Sequence, residues 1–69
     1  MLIFKGMWDD IGRWFIYSDR DLAGRYVTRV IDKNAEQTLM KCFHETFNDM
    51  VRTHLKLKQE IETKWQTKD

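Results

Sequence analysis

The stretch from Asn34 to Gln66 constrains the fold most, because it reads as one long amphipathic helix. Apolar or aromatic residues at Met40, Phe43, Phe47, Met50, Leu57, Ile61 and Trp65 recur three or four positions apart, with His54 in register. That is the spacing of a heptad seam. Glu36, Lys41, Glu45, Asp49, Arg52, Lys56, Glu60 and Lys64 fill the other side. Asn34 is placed to cap this helix, with Gln37 completing a capping box. Such a helix runs on the order of 45–50 Å at 1.5 Å per residue. A compact domain of this size has a radius of gyration near 11 Å, so the helix breaks around residues 53–58 or packs on another molecule. The seam runs past that point, which favours a coiled-coil-like homodimer or larger homo-oligomer. Thr67 to Asp69 should fray.

The first 33 residues divide into two shorter helical patterns. Phe4, Met7, Trp8, Ile11, Trp14 and Phe15 recur at helical spacing within residues 2–17, with Asp9 and Asp10 early and Arg13 late. Ser18 is a good N-cap for a second helix over Asp19–Lys33, where Leu22/Ala23, Tyr26/Val27 and Val30/Ile31 are spaced by four. The predicted fold is therefore mainly α: two short N-terminal helices and one long C-terminal helix in a single small domain. The distal part of the long helix serves association. The competing reading is α+β. Leu2–Phe4 and Trp14–Tyr17 have strand propensity, as does Tyr26–Ile31, and a small antiparallel meander within residues 2–31 would pack on the long helix. Three glycines and no proline weigh against several hairpins.

Sixty-nine residues make a marginal core. The single Cys42 cannot form an intramolecular disulfide, so self-association is the expected source of added stability. Twelve basic and eleven acidic residues leave a net charge of +1, short of the basic excess usual in nucleic-acid binders. No stretch has transmembrane length, and the N-terminal apolar run is too short for a signal peptide; the expected compartment is the cytoplasm.

The residues that carry chemistry are sparse. His44-Glu45 begins like the zinc-protease helix motif, but Asn48 stands where the second histidine belongs. No cofactor, metal or catalytic site is expected. His54 lies on the seam as a register-setting polar residue, or as a pH-sensitive element of an interface. Phe4, Trp8, Trp14 and Tyr17 form a candidate protein-binding patch, since Trp and Tyr are favoured anchors. Asp9 and Asp10 oppose its use on anionic lipid. Arg20, Arg25, Arg29 and Lys33 form a stripe of candidate phosphate contacts.

These features point to a non-enzymatic interaction protein that self-associates and binds a larger protein as a regulator, inhibitor or adaptor; a phage or mobile-element origin suits its size. A dimeric nucleic-acid binder is the alternative, and a structural assembly subunit a weaker one.

Overall fold

The computed structural model describes residues 4–65. The first three residues and the last four lie outside it, and with them the expectations for Leu2 and Ile3, for a helix end at Gln66 and for fraying of Thr67–Asp69. Four strands in sequence order, β1 (Met7–Ile11), β2 (Trp14–Arg20), β3 (Tyr26–Asp32) and β4 (Gln37–His44), form one antiparallel meander. The helix α1 (Phe47–Glu60) follows and ends in a π-helical turn, Ile61–Trp65.

The mainly helical expectation is overturned, and with it the helical and coiled-coil-like character. Residues 26–32 contain Val27, Thr28, Val30 and Ile31, whose branched side chains fit a pleated surface and pair with neighbours on both sides. The strand alternative comes nearer, but it too assigns residues 34–44 to the helix. Met40 and Phe43, read as one seam, fall on opposite faces of β4 because strand side chains alternate. A segment apolar on both faces imitates helical spacing over such a short run.

The expected caps have other uses. Ser18 lies inside β2, and Asn34 lies in the turn joining β3 and β4. Its backbone N–H, with that of Ala35, donates to the Asp32 carboxylate. The helix starts instead at Thr46, whose Oγ1 accepts from the Asp49 backbone N–H at 3.1 Å.

Few glycines suffice for the turns. Gly12 opens the two-residue β1–β2 turn at φ 59°, where a positive φ keeps the strand twist. Gly24, at φ 86°, closes the β2–β3 loop. That loop is built around Asp21, whose carboxylate accepts from the backbone N–H groups of Ala23 and Arg25 and from the Arg25 guanidinium. The β3–β4 turn uses Glu36 at φ 52° in place of glycine.

One face of the sheet takes the helix. Ile16, Val30, Leu57 and Ile61 form the core, with Ile11, Trp14, Met40 and Trp65 packed against it. Trp14 and Trp65 meet edge to face, with centroids 5.2 Å apart. Met50, His54, Leu57 and Ile61 are all buried. The distal half of the predicted seam is therefore a true helical stripe that packs on the chain's own sheet. Full burial of each such aliphatic side chain contributes about 1.5–3 kcal/mol.

Arg13 and Asp32 tie the β1–β2 turn to the end of β3 through two hydrogen bonds of 3.0 and 2.8 Å. The Arg13 hydrogen bonds hold the Asp32 carboxyl below the usual aspartate range. A depressed carboxyl stabilises the fold fully above its unfolded value, near about pH 4. That contribution is lost as pH falls through the folded value. Arg13→Ala should therefore flatten the acid limb of a stability–pH profile measured by urea denaturation.

Candidate functional site

Two features outside the apolar core carry chemistry. The first is a chain of polar side chains whose middle members are sealed between sheet and helix. Every described element except the π turn contributes one member: Asp9 from β1, Ser18 from β2, Thr28 from β3, His44 from β4 and His54 from α1. His54 Nε2 lies 2.8 Å from Asp9 Oδ2, and His54 Nδ1 lies 2.7 Å from Ser18 Oγ. Ser18 Oγ lies 2.7 Å from Thr28 Oγ1, which lies 3.0 Å from His44 Nε2. Ser18, Thr28 and His54 are completely buried. Among the described residues no buried side-chain nitrogen or oxygen lacks a partner.

Asp9, His54 and Ser18 follow the order of a hydrolytic triad. The serine oxygen is sealed from solvent and engaged by Thr28, so no substrate carbonyl reaches it. The arrangement acts as a structural pin. An imidazole buried among apolar groups must satisfy both nitrogens, and this one does so with partners on two strands.

The second feature is the sheet face opposite the helix, which no described strand or helix covers. The strand register lays two rows across it. Trp8, Tyr17, Arg29 and Lys41 form one, and Asp19, Val27 and Phe43 form the next. Phe15 stacks near-parallel on Tyr17 at 6.3 Å, and Trp8 tilts against the same ring at 6.3 Å. Trp8 is 58% exposed and Phe43 50% exposed. Arg25 lies over the Phe43 ring at 4.4 Å, with Lys41 at 5.5 Å. Most bases here already have acidic partners: Arg29 with Asp19 at 2.9 Å, Arg25 with Asp21 at 3.0 Å, and Lys33 with Asp10. Beside Phe43, a groove of about 470 Å³ is lined by Gly24, Arg25, Tyr26, Phe43, His44 and Glu45.

The predicted residues are thus redistributed. Of the aromatic patch, Trp8 and Tyr17 share the uncovered face, while Trp14 enters the core and Phe4 packs edge to face on Phe47 at 5.2 Å. Of the basic stripe, Arg25 and Arg29 border the aromatics and Lys33 pairs with Asp10; Arg20 instead lies over Tyr26 and reaches the Gly24 carbonyl. Phe43 belongs to the uncovered face and Phe47 to the start of α1, so the expected association seam is not one surface. Sequence reasoning missed Phe15 and Lys41 as members of the uncovered face, and Asp9, Ser18, Thr28 and His44 as members of a polar chain with His54. Strand alternation was the signal for the former. The latter meet through long-range pairing that no local pattern records.

The two features predict opposite mutational behaviour. His54→Ala leaves a cavity and strands Ser18 and Asp9, and should cost about 3 kcal/mol or more in chemical denaturation. Trp8→Thr and Phe43→Thr keep strand propensity at half-exposed positions, and each should change stability by less than about 1 kcal/mol.

Among the described residues no helix is long and apolar enough to cross a membrane. No protein-family model matches this chain, and no curated protein or solved structure shows detectable similarity to it.

Proposed function

We propose that this protein is a small non-enzymatic interaction module that binds a larger protein through the uncovered face of its sheet and acts as a regulator, inhibitor or adaptor. The observation that carries this reading is the concentration of Trp8, Phe15, Tyr17 and Phe43 on one face that no described strand or helix covers. Aromatic anchors of this kind dominate binding energy in protein interfaces. The ion pairs Arg29–Asp19, Arg25–Asp21 and Lys33–Asp10 support a protein partner, since they leave the face close to neutral.

Self-association belongs to the same reading, now on a different surface. The outer edge of β4, eight residues long, pairs with no described strand. Free strand edges are templates for a second strand. A cytoplasmic location also belongs to it, and the unpaired thiol of Cys42 fits a reducing compartment.

Single-stranded nucleic acid is the second reading, favoured by the cations flanking the Phe43 ring. Bases stack on aromatic platforms of this kind, and backbone contacts make such binding salt-sensitive.

Photocrosslinking separates the readings. A benzophenone side chain at position 43 should yield one discrete protein adduct that excess unlabelled protein competes away and Trp8→Ala abolishes. A benzophenone at Leu55, half-exposed on the far side of α1, should yield none. Equal adducts from both positions would overturn the assignment of the face. Fluorescence anisotropy with a labelled single-stranded oligonucleotide should show no binding; saturable binding that collapses at high salt would transfer the face to the second reading.

A further inference from the structure

We infer that Asp9, His54, Ser18, Thr28 and His44 form a proton-coupled relay, in which protonation of either histidine disfavours protonation of the other. The argument is a count of hydrogens. Ser18 and Thr28 each carry one hydroxyl hydrogen, and both oxygens belong to completely buried residues. Neither hydroxyl has a partner outside the chain of contacts, so each must donate along it.

Consider the relay with His54 neutral. Its Nε2–H donates to the Asp9 carboxylate, which fixes the tautomer and leaves Nδ1 as an acceptor. Ser18 then donates to Nδ1, Thr28 donates to Ser18, and His44 Nε2–H donates to Thr28. His44 meets this demand either neutral or charged. With His54 charged, every bond beyond Asp9 reverses. Nδ1–H donates to Ser18, Ser18 donates to Thr28, and Thr28 donates to His44 Nε2. That nitrogen must now carry a lone pair, so His44 is neutral with its proton on Nδ1. If both rings are charged, both donate inward and one hydroxyl hydrogen has no acceptor. Leaving a buried donor unpaired is costly enough to weaken the second protonation by about tenfold.

The charged groups around the relay are few. Asp9 faces His54 from β1, and Lys58 of α1 sits 3.5 Å from the other carboxylate oxygen. Arg25, Tyr26 and Glu45 surround His44 in its groove, and Cys42 lies opposite Thr28 in the β3–β4 register. A group entering the groove and donating to His44 Nδ1 therefore keeps the His44 proton on Nε2 and holds His54 neutral, through two hydroxyls. The inference rests on the buried geometry and is independent of what binds the uncovered face.

The test is a histidine titration of the full-length, ¹⁵N-labelled chain, reading the protonation of each ring nitrogen by long-range nitrogen–proton correlation between about pH 5 and pH 9. In the wild-type protein the folded state should take up the first proton on the pair more readily than the second. The second uptake should be weaker by at least about tenfold than in Thr28→Val, which removes the linking oxygen. Whenever His54 is charged, His44 should show the Nδ1–H tautomer. Thr28→Ser restores the oxygen and should restore the coupling. A second proton uptake as easy as the first in folded wild-type protein, or His44 unaltered while His54 charges, would overturn the relay. Superimposable titrations of wild type and a folded Thr28→Val would do so as well.

Discussion

The fold depends on the requirement that a buried imidazole satisfy both of its nitrogens. His54 is fully buried in the contact between helix and sheet, and its ring is bonded on both edges. Leaving either edge unpaired in that setting costs more than a single hydrogen bond contributes in water. The partners come from β1 and β2, and through Ser18 the chain extends to β3 and β4. Apolar contacts alone would let α1 slide or rotate on the sheet with little penalty. A fully satisfied polar chain permits one axial position and one rotation, because any slip breaks several buried bonds together.

That pin also explains how a chain this small makes a defined core. Five apolar residues between sheet and helix are fully or nearly buried, Ile16, Val30, Met50, Leu57 and Ile61, while Val27 is buried on the opposite face of the sheet. The edges of this core are closed by rings, with Trp14 on Trp65 at one end and Phe4 and Tyr26 on Phe47 at the other. The turns carry their own supports, Asp21 within the β2–β3 loop and Asp32 bridging two turns. Local order therefore does not draw on the core. The aromatics of the opposite face remain half-exposed and free to contact something else.

The relation between the two faces gives the molecule a division of labour. Inward-facing strand positions carry the core and the polar chain; outward-facing positions carry the rings and the ion-paired bases. His44 stands where the two meet, bonded to Thr28 inside and lining the groove beside Phe43. Chemistry at the groove is thereby connected to the centre of the helix–sheet contact.

The sequence by itself determined the stripe Met50–His54–Leu57–Ile61, because helical spacing with polar residues between is a local property that survives in the fold. It also determined that the bases are balanced by acids. Only the tertiary structure decided that residues 7–44 are strands. Their apolar residues occupy both faces, so period two and period 3.6 are equally legible over seven or eight positions, and the choice falls to cross-strand pairing. It likewise decided that Ser18 serves inside the sheet rather than as a cap, and that Asp9 and His54, 45 positions apart, meet. A serine's local preference for a helix start is worth about 1 kcal/mol. Satisfying a buried histidine is worth more, and that need exists only once the chain has folded.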